Sequence, residues 1–97
     1  MSKKQTAETR QIEELLRERF EDVKAYRRNS ASIRVRVIDD KFKGKSLLKR
    51  EAMVQPVIRK LPEDIQSDIM MLLLLTDDER EESHLNLEFE RPSPSRL

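Results

Sequence analysis

Residues 33–54 read IRVRVIDDKFKGKSLLKREAMV, and their pattern decides the fold. Ile33, Val35 and Val37 alternate with Arg34 and Arg36, the period-2 signature of a strand with one apolar and one basic side. Gly44 is the only glycine of the chain and precedes Ser46, a good N-cap for a helix opening at Leu47 and Leu48. A basic strand, a bend at Gly44 and a capped helix make a unit that presents a surface and carries no catalytic group.

Upstream, Val23, Ala25 and Tyr26 begin another short strand, and Asn29-Ser30-Ala31 supplies turn chemistry, so a hairpin is predicted. Ile12, Leu15, Leu16 and Phe20 fall at helical spacing, and residues 1–11 read as a flexible arm. Downstream, Leu47, Val54, Ile58 and Leu61 are expected to face a core, with a kink or stop at Pro56, which lacks the N–H a helix interior needs. Leu61-Pro62-Glu63-Asp64 restarts a short helix, with Pro62 suited to its first turn. Ile69 to Leu75 is apolar throughout. A helix of that composition would need protein on every side, so a central strand buried on both faces is predicted. Thr76-Asp77-Asp78-Glu79 reads as a capped helix start, and Leu85, Leu87 and Phe89, alternating with Asn86 and Glu88, as a possible extra C-terminal strand. That strand would extend the sheet or pair with a second copy, making a homodimer. Residues 12–90 form one domain and 91–97, with Pro92-Ser93-Pro94-Ser95, a disordered tail.

Composition narrows function. The chain of 97 residues has no Cys and one His, which excludes disulfides, thiolate metal sites, cysteine nucleophiles and a multi-imidazole metal cage. With 40% charged and 4% aromatic residues, the core must be aliphatic and small. No apolar run approaches the roughly 20 residues of a membrane span, and the polar start lacks a secretory signal's apolar region, so a cytoplasmic, membrane-free protein is expected. The net charge of +1 hides an asymmetry. Residues 1–60 carry 17 Lys and Arg against 9 Asp and Glu, giving +8, and residues 61–97 carry 3 against 10, giving −7. The basic part attracts phosphates or an acidic partner, unless the acidic part neutralises it.

Three stretches together resemble the BolA family, whose fold is similar to a class II KH domain. Ile12 to Phe20 resembles its first helix, Phe42-Lys43-Gly44-Lys45-Ser46-Leu47-Leu48-Lys49-Arg50 its central motif, and Thr76-Asp77-Asp78-Glu79 its closing Thr-Pro-Glu-Glu turn. The resemblance spans Ile12 to Glu79. It implies an α+β fold with a three-stranded mixed sheet and helices on one face, and a non-enzymatic regulatory role of the kind linked to transcription and stress. It also implies a partnership with a monothiol glutaredoxin in iron–sulfur handling. This chain diverges by lacking the usual histidines: Glu51 follows the motif arginine, Asp68 stands where the last strand opens, and Arg28 to Ser32 offers neither Cys nor His. A carboxylate is a poor exchange for nitrogen on soft iron–sulfur chemistry, so no cofactor is expected.

The first functional expectation is therefore nucleic-acid binding through a basic face. Arg34, Arg36, Lys43, Gly44, Lys45, Lys49 and Arg50 are its candidate residues, with Lys24, Tyr26 and Arg28 beside them. The alternatives are a glutaredoxin-binding module with its family ligands lost, or a structural homodimer. Gly44-Lys45-Ser46 at a helix start could seat a phosphate, but a nucleotide-hydrolysing loop would need glycine at the position of Asp39. No catalytic or metal site is expected: His84, next to Glu81 and Glu82, reads as a solvated side chain, and Asp77, Asp78 and Glu79 as carboxylates at a helix N-terminus.

Overall fold

The computed structural model describes residues 3–93. Helix α1 (Ala7–Arg17) leads into the hairpin β1 (Asp22–Asn29) and β2 (Ser32–Ile38). A 3-10 turn at Asp40–Phe42 precedes α2 (Leu47–Ile58), α3 (Glu63–Asp68), β3 (Ile69–Leu75) and α4 (His84–Glu90). The sheet order is β1-β2-β3, with β1 antiparallel and β3 parallel to β2. A parallel pair needs a crossover, and α2 and α3 provide it. The α+β class and the three-stranded mixed sheet agree with the sequence.

The strand pattern assigns the faces. Ala25, Val35 and Leu72 are cross-strand partners, as are Val23, Val37 and Leu74, and together with Ile33 they form the floor of the main core. Ile12 and Leu16 of α1, Val54, Val57 and Ile58 of α2, and Ile65 of α3 close over that floor, with Phe20 and Phe42 stacked 5.6 Å apart. The opposite face carries Tyr26, Arg34 and Met71 in one row and Lys24, Arg36 and Leu73 in the next.

Helix α4 covers that second face through Phe89, which packs with Tyr26, Ile38, Leu73 and Leu75. Two expectations are thereby corrected: helices lie on both faces of the sheet, and residues 85–89 form a helix where a strand was predicted. Ser83 caps α4 by accepting from the Asn86 N–H, and Asn86, Phe89 and Glu90, three and four residues apart, turn to the sheet while Leu85 and Leu87 face solvent. The two-residue alternation was therefore an accident of the outward leucines. A homodimer built on that added strand loses its strand. Strand β3 is an edge strand where a central one was expected, and only its end, Leu73 to Leu75, is buried between helices above and below the sheet, while Met70 is 70% exposed.

Smaller departures have local causes. Helix α1 begins at Ala7, inside the stretch read as a flexible arm, because Thr6 and Thr9 cap each other reciprocally. Lys4 also exchanges backbone hydrogen bonds of 3.0 and 2.8 Å with Arg27. With Glu13 accepting from the Ala25 N–H and Arg17 donating to the Val23 carbonyl, both at 2.9 Å, the free edge of β1 is closed. Pro56 falls in the last turn of α2, so the helix ends two residues later without a mid-helix break. Residues 77–82 are a run of turns and not a helix: the backbone closes from an N–H to the carbonyl three residues back, as Glu79 to Thr76 and Arg80 to Asp77, while the Glu79 carboxylate bonds the Thr76 N–H and an arginine from α2. The predicted tail is described only to Ser93, and its remainder, 94–97, lies outside the described residues.

Candidate functional site

The segment from Lys43 to Lys49 links the 3-10 turn to α2. Gly44 has φ +74°, the left-handed conformation that glycine alone adopts without strain, and the Lys45 N–H closes the turn on the Phe42 carbonyl at 3.0 Å. Ser46 then caps α2 by accepting from the Lys49 N–H. Asp39 is structural: its buried carboxylate accepts from the Lys41 and Glu21 N–H groups at 2.8 and 3.0 Å.

Arg50 is the keystone behind this segment. Only 9% exposed, it donates to the Lys45 and Leu74 carbonyls at 2.9 and 3.0 Å and grips both oxygens of Glu79 at 2.6 and 3.0 Å. Those bonds from Arg50, with the Thr76 N–H, hold the Glu79 carboxyl down at about 2. Arg50 therefore cannot serve a ligand phosphate without opening the fold.

Arg34 and Arg36 share a side of β2, with Lys24 and Tyr26 opposite them, as the sequence predicts. That side is not open. Arg34 pairs with Glu88 at 3.0 Å, and Arg36, 3% exposed, donates to Asn86 at 2.8 Å and Glu90 at 2.7 Å while its guanidinium lies over the Phe89 ring. Hydrogen bonds from the Ser93 hydroxyl and N–H, then from Arg34, bring Glu88 down to about 2, and Arg36 lowers Glu90. The two arginines of the predicted cationic face thus belong to an internal interface, and Lys24 stays exposed.

What stays outside is Lys43, Gly44, Lys45, Ser46, Leu47, Leu48 and Lys49, all exposed, with Lys43 in a loose 3.6 Å pair with Asp78. Leu47 and Leu48 are 61% and 77% exposed. By spacing Leu47 continues the stripe of Val54 and Ile58, yet the core ends at Arg50, one turn short of it. Sequence reasoning put Leu47 inside and passed over Leu48. Two adjacent leucines directly after an N-cap, between lysines, were the available signal.

The positions that would ligate a cluster do not fit one. Asp68 is engaged by Arg27 at 2.8 Å, and the tight turn between β1 and β2 carries Asn29, Ser30 and Ala31. Among the described residues no three His, Cys, Asp or Glu side chains gather as a metal site. His84 is exposed at the start of α4. No helix among the described residues is long and apolar enough to cross a membrane.

Neither a protein-family model nor a curated protein sequence matches the chain. Solved structures do. The BolA domain of SufE1 from Arabidopsis thaliana superposes with a TM-score of 0.58 at 17% identity, covering 77% of this chain and 98% of that one. A bol-like protein from Babesia bovis gives 0.55 at 22% identity, over 76% and 90%, and yeast Fra2 gives 0.54 at 18%, over 94% and 98%. The fold is BolA-like.

Proposed function

We propose that this BolA-fold chain is a non-enzymatic interaction module that docks a protein through the exposed surface of Lys43 to Lys49. The observation that carries this is the pair Leu47 and Leu48, displayed on a capped helix start between lysines while the neighbouring arginines are bound internally. Apolar contacts with a cationic rim suit a partner with a small apolar patch edged by carboxylates. The partner class the BolA resemblance implies is a monothiol glutaredoxin. With carboxylates at positions 51 and 68, the contact would be protein to protein, leaving any iron–sulfur cluster on its carrier. Nucleic-acid readout through β2 has less support, because Arg34 and Arg36 are spoken for by α4.

The test is anaerobic titration of isotope-labelled chain with a monothiol glutaredoxin, cluster-free and cluster-loaded. Amide shifts confined to 43–49 and an unchanged visible spectrum of the cluster are expected, and Leu48→Glu should abolish the shifts. Shifts elsewhere only, or a changed cluster spectrum, would overturn the proposal.

A further inference from the structure

We infer that this chain pairs with a second copy of itself, residues 45–49 of each copy seating in an acidic groove beside α4 of the other. The groove lies on the outer flank of α4, away from the sheet. Glu81 and Glu82 come to it from the turns after β3, and His84, Leu87 and Glu90, three residues apart, form one row along the helix. Its volume is about 340 Å³, and Leu87, 57% exposed, is the apolar side chain that lines it.

Plug and groove match in chemistry. The plug presents Leu47 and Leu48, 61% and 77% exposed, between Lys45 and Lys49, while the groove presents an exposed leucine among carboxylates. Among the described residues Lys45, Lys49, Glu81 and Glu82 join no ion pair, so two opposite sets of charge stand idle on one molecule. They do not meet within one copy. The two regions border each other, with Lys43 3.6 Å from Asp78 and Arg50 gripping Glu79, yet the leucines of both stay in water. A half-turn about an axis between two adjoining, complementary regions sets each plug against the other copy's groove, so one two-fold contact satisfies both and closes at a dimer. Apolar contact inside a rim of opposite charge gives such a contact its register, and its small size makes it weak and reversible. Because the plug is also the docking surface proposed above, pairing covers it, and a partner protein binds by displacing the second copy.

The test is sedimentation equilibrium of the full chain from about 10 μM to about 1 mM, the range of a weak contact. The mean mass should rise toward twice that of one chain. Lys45→Glu with Lys49→Glu makes plug and groove both acidic, and Glu81→Lys with Glu82→Lys makes both basic. All four positions are exposed, so both variants keep the fold. Each should sediment as a monomer alone, and their equimolar mixture should recover the dimer. A monomeric unmodified chain, a dimer that either variant retains, or a mixture that stays monomeric overturns the inference. If the unmodified chain is monomeric while a monothiol glutaredoxin still shifts amides 43–49, self-pairing fails and the docking proposal stands.

Discussion

Replacing Arg50 with Met tests whether this residue is a structural clamp or a ligand-binding cation. Methionine keeps much of the aliphatic stem but removes every donor. The Leu74 carbonyl then loses its buried partner, at about 1–3 kcal/mol, and the paired bonds to Glu79 are lost as well. Glu79 is 42% exposed, so solvent screening reduces that second loss to about 1 kcal/mol. The sum, about 2–4 kcal/mol, is a large fraction of the roughly 5–15 kcal/mol expected for a domain of this size. Urea unfolding followed by circular dichroism should show the midpoint falling with an unchanged slope. A cycle with Glu79→Gln should give a coupling of about 1 kcal/mol. The pH dependence has a fixed sign. The Glu79 carboxyl titrates at about 2 when folded, below its ordinary 4.5, so its contribution is complete above about pH 4.5 and is lost as pH falls toward 2. The stability gap between the unmodified chain and Arg50→Met should therefore narrow on acidification across that window. A loss under 0.5 kcal/mol, or a gap independent of pH, would refute the clamp.

Gly44→Ala should cost about 1–2 kcal/mol in urea unfolding through backbone strain alone, because φ is +74° and an added Cβ meets nothing within 4 Å; an unchanged midpoint would contradict this. Leu48→Glu should leave stability within about 0.5 kcal/mol in a thermal melt, since the side chain is already in water; a large loss would mean that Leu48 supports the core. Random duplex DNA should bind more weakly than about 10⁻⁵ M near physiological salt, because Arg34, Arg36 and Arg50 already have partners. Lys45→Glu with Lys49→Glu should remove what a gel shift detects at low salt, and tight, salt-resistant binding would restore the nucleic-acid interpretation.

Patterns within one element were legible in the sequence. Ile33, Val35 and Val37 gave the strand, Gly44 and Ser46 the bend and cap, and the unbroken run of β3 a strand, although only Leu73 to Leu75 of it are buried. What was not legible depends on contacts between distant segments. Nothing local to Arg34 or Arg36 says that Glu88 and Glu90, more than fifty residues later, will meet them. Leu85 and Leu87 alternate as a strand would, and only the cap at Ser83 and the docking of Phe89 make that stretch helical. Leu47 follows the helical stripe correctly and still lies outside, because periodicity gives direction and not where the core stops.

The charge asymmetry shows the same division between local and distant information. Its existence is plain from composition, and it has two physical outcomes: an external field that recruits an anionic ligand, or closure of the acidic half on the basic half. The structure takes the second course at four of the nine arginines in the first sixty residues. Arg27 meets Asp68, Arg34 meets Glu88, Arg36 meets Glu90 and Arg50 meets Glu79, each joining the basic first sixty residues to the acidic remainder. Lysines, whose hydrated ammonium is less suited to such forked burial, remain at 45 and 49 on the surface. Among the candidate cations, Arg34, Arg36 and Arg50 thus hold the fold, and Lys45 and Lys49 are exposed. This explains why the proposed docking surface is the lysine-edged leucine pair and not the arginine-lined strand.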